Sequence, residues 1–194
     1  MSDPLPPLPP VPVPVLALGG AGFTGFATVR EIGPLGMISL RAARDAQGLA
    51  EAIRAVAGTG VPAQRQIVHN GDRAAGWMSP DEYLLILPHA ATEVALAQVA
   101  AAMAGTHHLA VTVSDARTAF RIEGAKADQV IAKLAPVDLT ALAAGELRRT
   151  RVAQVAAAFW RDGDGMTLVC FRSVARYVFD LLVLSATPGS EITP

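Results

Sequence analysis

Twice along this chain the hydrophobic spacing switches between strand and helix in the same order, and that repeated order limits the fold more than any single motif does. In the first half, ISLRA (38–42) alternates as a strand and Ala46 to Ala57 has helical spacing closed by Gly58 and Gly60. RQIVHN (65–70) and EYLLILP (82–88) read as strands separated by a turn-rich stretch. Ala90 to Ala104 is an Ala-rich helix stopped by Gly105, and HLAVTVSD (108–115) returns as a strand. Strand-helix-strand-strand-helix-strand is the split βαβ pattern of a ferredoxin-like unit.

The second half repeats it with TAFRIEG (118–124), a helix from Ala125 to Ala135, a long strand TRVAQVAAAFWR (150–161), MTLVCFR (166–172) and a helix from Val174 to Ala186. Asp162-Gly163-Asp164-Gly165 between two strand-like runs signals a hairpin. Trp77 precedes strand and helix in the first half as Trp160 does in the second, which supports a duplication. The expected fold is therefore α+β: one domain over 26–187, built of two ferredoxin-like lobes at about 36–116 and 117–187, with a tail at 188–194.

In front of that domain, SDPLPPLPPVPVP (2–14) holds seven of the fourteen prolines. Such a run can neither nucleate a helix nor pair as a central strand, so residues 1–25 are expected to form a Pro/Gly-rich arm, either disordered or docked on a partner. The segment lacks a basic residue ahead of its apolar part, which is wrong for a secretory signal and points to the cytoplasm. Within the apolar stretches, Leu84 to Ala104 is interrupted by Pro88, His89, Glu93 and Gln98, and Val174 to Ala186 by Arg176 and Asp180, so neither is a membrane span.

Charge argues for a protein partner. Charged residues are 17% of the chain and hydrophobic ones 52%, against about 25% charged in an ordinary soluble domain. With no long apolar run to hold the excess, it is expected to face other protein, as in an oligomer subunit. Sixteen basic and seventeen acidic residues, without a Lys/Arg stripe, argue against nucleic acid. The single cysteine, Cys170 in MTLVCF, excludes an intrachain disulfide and reads as a small buried strand residue.

Gly20, Gly22 and Gly25 in VLALGGAGFTG (15–25) satisfy the dinucleotide motif G-x-G-x-x-G. That site needs a strand-to-helix junction, whereas Gly33 and Pro34 close the next segment too soon for a helix, and Phe26 to Ile32 favours strand. A glycine hinge is the better reading, with an NAD site kept as an alternative. His107 and His108 are neighbours on a strand, point to opposite faces and cannot chelate one ion; His69 and His89 are isolated. Ser79, Ser114 and Ser173 have no histidine nearby in sequence, Ser79-Pro80-Asp81-Glu82 has the character of a helix cap or turn, and Ser173 is a natural N-cap. No catalytic, cofactor or metal residue is assigned.

The last helix lines up Val174, Tyr177, Val178, Leu181 and Leu182, with Phe179, Val183 and Leu184 adding apolar surface around them. It is read either as fully buried or as a subunit contact. Arg172, which opens it, has Asp180 or a partner carboxylate as its expected ionic partner. Arg117, beside Ser114 and Asp115 at a strand-to-strand bend, is expected to anchor the lobe junction or a partner. Arg117, Arg172, Tyr177 and Phe179 are thus the expected interface residues.

Four blocks, GMISLR (36–41), GWMSPDEYLLILP (76–88), VTVSDARTAFRIEGAKADQVIAKLAPVDL (111–139) and ELRRTRVAQVAAAFWRDGDGMTLVCFRSVARYVFDLLV (146–183), resemble the sarcosine oxidase gamma subunit family. The third block also resembles the folate-binding T-protein of glycine cleavage, which implies a T-protein-like fold. The chain departs from the family at Ala135, where Cys is frequent, and at Tyr83 and Phe179, where Trp is common. The resemblance implies an accessory, cofactor-free subunit of an enzyme that demethylates sarcosine to glycine. It places FAD, FMN, NAD and tetrahydrofolate on the alpha and beta subunits and zinc on the delta subunit. A free-standing folate-binding protein is the alternative it leaves open.

Overall fold

In a computed structural model, whose described residues are 13–192, the repeated order becomes two antiparallel sheets packed face to face, each with helices on its outer side. Residues 1–12, which hold most of the Pro-rich arm, and 193–194 lie outside the described residues.

The five-stranded sheet is made of β3 (Leu35–Arg41), β4 (Ile67–Asn70), β5 (Arg73–Ser79), β6 (Glu82–Pro88) and β7 (Leu109–Thr112), in the order β4-β5-β6-β3-β7. Helix α1 (Leu49–Ala57) links β3 to β4, and α2 (Thr92–Ala102) carries the chain from β6 over β3 to β7, a split βαβ. The six-stranded sheet contains β1 (Gly22–Thr24), β2 (Thr28–Ile32), β8 (Arg117–Glu123), β9 (Leu147–Val152), β10 (Val155–Asp162) and β11 (Gly165–Phe171), in the order β1-β2-β8-β11-β10-β9. Helices α3 (Ala127–Ala132) and α4 (Ala175–Ala186) cover it. Strands β3 to β6 correspond to β8, β9, β10 and β11, starting 82, 80, 82 and 83 residues later in the chain. The place of β7 is taken in the second sheet by β2, which comes from the N-terminal side.

Three apolar layers hold the stack. Ile38, Leu40, Tyr83, Leu85 and Leu87 pack under α1 and α2, and Phe120, Ile122, Phe159, Leu168 and Cys170 under α3 and α4. Between the sheets lie Met37, Met78, Leu84, Ile86, Leu147, Trp160 and Val169. Both sheets are thus buried on two faces, which accounts for much of the low charge content. Among the described residues no helix is long and apolar enough to cross one.

Local chemistry explains the connections. Gly71 and Gly163 supply the left-handed backbone of two tight hairpins, with φ of 60° and 58°. The expected long strand 150–161 is in fact two strands, because Ala153 adopts φ 49° and reverses the chain. Its N–H donates to Leu134 O at 2.7 Å, a bond that holds this residue in a conformation disfavoured for alanine. The expected turn-rich stretch before 82 is also a strand, β5, followed by a two-residue turn at Pro80-Asp81.

Candidate functional site

The glycine-rich segment carries the spacing of a phosphate loop. Gly22 opens β1, a strand antiparallel to β2, so the strand-to-helix junction of a dinucleotide site is absent from this segment. The main-chain donors are nevertheless gathered round an anion, and that anion belongs to the protein. Leu18 N–H (3.2 and 3.0 Å) and Gly20 N–H (3.0 Å) donate to the carboxylate of Glu31, as does the Thr118 hydroxyl at 2.9 Å. Glu31 is buried at 5% exposure, so the cradle is filled from within. The hinge reading is corrected too: Gly25 is needed for packing, since a Cβ there would sit 2.0 Å from the Ala186 carbonyl oxygen.

Among the other residues singled out in the sequence, Ser79, Ser114 and His108 make local structural contacts. Ser114 accepts from Met37 N–H at 2.9 Å and ties the one-turn helix Ser114–Ala116 to β3. Ser79 donates to Asp81 within the β5–β6 turn, which is the turn and not the cap of the two expected alternatives, and Ser173 makes no cap bond to α4. His108 bonds Thr106 O through Nδ1 at 2.8 Å. Among the described residues no group of three or more His, Cys, Asp or Glu side chains is placed to hold a metal ion. Cys170 is buried, and burial pushes its thiol up to about 12 against an opposing pull from Arg117, so it is protonated and unreactive at neutral pH.

Of the expected interface residues, Tyr177 is 42% exposed, whereas Phe179 is 6% exposed and packs 6.0 Å from the Phe120 ring in the core under α4. Phe179 is therefore corrected from interface to core: at helical spacing it falls on the side of Ala175, Val178 and Leu182, which face the sheet. Arg172 donates to Val15 O at 2.8 Å and does not meet Asp180, which pairs instead with Arg176 at 3.5 Å. That bond ties the N-terminal segment to the end of β11 and leaves the rest of the guanidinium accessible.

Arg117 lies where the two sheets part. Register places it opposite Phe171, and its guanidinium carbon lies 4.3 Å from the centre of that ring, which is 44% exposed. Burial pulls the guanidinium below its ordinary value; Glu82 opposes that pull and Arg149 adds to it. Its Nε is buried without a hydrogen-bond partner among the described residues. No motif marks the group beside it. Glu82, 5% exposed, accepts from Arg41 at 3.0 Å, Arg149 at 3.1 Å and Ser39 at 3.3 Å, joining the two sheets. Only the alternation of β6, which puts Glu82 on the same face as Leu84 and Ile86, could have placed it between the sheets. The arrangement contains neither a nucleophile paired with a base nor a polarised acid. It is suited to binding by charge and exposed apolar surface.

A family model described as the sarcosine oxidase, gamma subunit family matches residues 41–187. The chain is similar to a chain of the heterotetrameric sarcosine oxidase from Corynebacterium sp. U-96 in complex with pyrrole 2-carboxylate: TM-score 0.75, 24% identity, covering 82% of this chain and 83% of that one. It is also similar to the glycine cleavage system aminomethyltransferase T from Bartonella henselae, with a TM-score of 0.57 and 14% identity over 79% of this chain and 44% of that one. The chain thus spans less than half of the T-protein's length. These likenesses show a shared T-protein-like α+β fold. No curated protein matches the chain.

Proposed function

The chain belongs to the sarcosine oxidase gamma subunit family, and from that premise we propose that it is the accessory, cofactor-free gamma subunit of a heterotetrameric sarcosine oxidase in the cytoplasm. In this reading the alpha and beta subunits carry FAD, FMN, NAD and tetrahydrofolate, the delta subunit carries zinc, and this chain contributes assembly or stability. The assembled enzyme converts sarcosine, water and oxygen into glycine, formaldehyde and hydrogen peroxide, or passes the one-carbon unit to tetrahydrofolate. The observation that carries the proposal is the family match, which runs across strands of both sheets. The chemistry of the surface supports it: the Leu18 and Gly20 N–H groups are occupied by Glu31, and the exposed groups at the sheet junction are mainly arginines and apolar side chains. Arg117, Arg172 and Tyr177 are proposed as partner contacts.

Affinity isolation of the tagged chain from its native host, with absorbance for flavin and identification of the co-purifying chains, tests the reading. Flavin-bearing larger subunits in fixed ratio, with sarcosine-dependent peroxide formation, are expected. Isolation as a lone chain that binds tetrahydrofolate or NAD saturably at low micromolar concentration would refute it.

A further inference from the structure

The open edge of the five-stranded sheet lies beside the arginine cluster, and the two observations converge on one kind of partner. Val113 N–H donates to Met37 O at 2.8 Å, which fixes the phase of the β7–β3 ladder. Leu109 and Val111 therefore turn their main-chain groups inwards to β3, and Ala110 and Thr112 turn theirs outwards. The side chains of Leu109 and Val111, opposite Arg41 and Ser39, face the junction between the sheets and are 53% and 40% exposed. In the other sheet the equivalent strand, β2, has its outer edge covered by β1. The edge of β7 has no such cover among the described residues.

Charge decides what fits there. Arg41, Arg117 and Arg149 surround a single carboxylate, that of Glu82, which already receives Arg41 and Arg149. Arg151 follows Arg149 on the same face of β9 and is exposed. Asp115, at the rim beside Phe171, has no ion pair with any of these arginines. The junction thus carries a surplus of positive charge next to exposed Leu109, Val111 and Phe171. A second β7 strand would not neutralise it, since Leu109–Thr112 contains no acid.

Resting on the reading of this chain as a subunit, we propose that β7 seats an extended segment of another subunit, which pairs with Ala110 and Thr112 and turns a carboxylate towards Arg117 and Arg149. The main-chain bonds supply affinity, and the flanking arginines select an acidic sequence. This assigns a docking surface on the side of the molecule where the two halves of the duplication differ.

The test compares amide exchange in the full chain alone and in the flavin-containing complex co-expressed with its oxidase partner subunits. Exchange at Ala110 and Thr112 is expected to slow by about tenfold or more on assembly. Thr112→Pro removes one outward N–H and an exposed hydroxyl contact to Ser114 without touching the β3 ladder, so it should shift the unfolding midpoint of the isolated chain only slightly and weaken assembly about tenfold. Arg151→Glu, which leaves the Arg41 and Arg149 pairs with Glu82 intact, should weaken assembly and reduce its salt dependence. A flavin-containing complex in which both amides exchange as in the lone chain, or in which Thr112→Pro and Arg151→Glu assemble normally, overturns the proposal and leaves the subunit reading intact. Concentration-dependent self-association abolished by Thr112→Pro overturns it as well, by making a second copy the occupant. If the wild-type chain brings down no flavin-bearing partner, both readings fall.

Discussion

Replacing Glu31 by alanine should destabilise the chain more than its place near the N-terminus suggests. The carboxylate accepts from Leu18 N–H, Gly20 N–H and the Thr118 hydroxyl at 2.9–3.2 Å, and forms no salt bridge among the described residues. Hydrogen bonds to a charged group are each worth about 1.5–3 kcal/mol, and a partly buried donor left without an acceptor costs about 1–3 kcal/mol. Alanine also removes the expense of holding a buried carboxylate away from water, so the net loss falls nearer about 3 kcal/mol than the sum of the bonds. With a urea slope of about 2–3 kcal/mol per molar, the midpoint should drop by about 1–1.5 M. Glu31→Gln keeps the shape but turns an NH2 towards one of the three donors, and should lose about half as much. Tryptophan fluorescence in urea reads the global loss, and amide exchange at Leu18 and Gly20 reads the local one. A Glu31→Ala chain within about 0.5 kcal/mol of wild type, with those amides exchanging at their original rate, would refute the account of the cradle.

The glycines can be separated by packing alone: Gly25→Ala brings a Cβ to 2.0 Å from the Ala186 carbonyl oxygen and should lower the melting temperature, whereas Gly22→Ala meets nothing nearer than 3.8 Å and should leave it nearly unchanged. Cys170 should resist thiol reagents at pH 8 until urea unfolds the chain. Its thiol titrates about 12 when folded, above its unfolded value, so the stability it contributes is present below about pH 9 and lost as pH rises towards 12, as urea midpoints across that range would record. Phe179→Asp should abolish the folded circular dichroism signal of the isolated chain, and Phe179→Leu should cost about 1–2 kcal/mol.

Much of the fold was legible because period and length speak for the longer elements. Helices α1, α2 and α4 and strands β3, β6, β8 and β11 fall where their spacing put them. What escaped was local. Ala153-Gln154 turns the chain without Gly, Pro, Asn or Asp, so nothing in its composition marks a hairpin. Strand β5 is built largely of small residues, and RAAG lacks the bulk that makes alternation visible. The echo between Trp77 and Trp160 misled in detail. These strands correspond with an offset of 82, which matches Trp77 to Phe159 and Met78 to Trp160. An offset of 83 slips the comparison by one residue, and one residue exchanges the two faces of a strand. The site was less legible than the fold, since Glu31 and Glu82 act through groups 11 to 87 residues away.

The duplication locates function by contrast. Leu35 sits opposite Pro88 in the first sheet, and at the corresponding register of the second sheet Arg117 sits opposite Phe171. The first pair is apolar, and Leu35 packs beside the layer between the sheets. The second buries part of a guanidinium, leaves its Nε without a partner and exposes an aromatic ring. An unsatisfied buried donor is unfavourable, and the first half shows that the position can be filled by leucine within the same fold. The arginine is therefore not required by the packing of this chain. Under the docking proposal its rationale lies outside the chain, in a carboxylate of the partner segment that meets the surplus charge of Arg117 and Arg149 beside the open edge of β7.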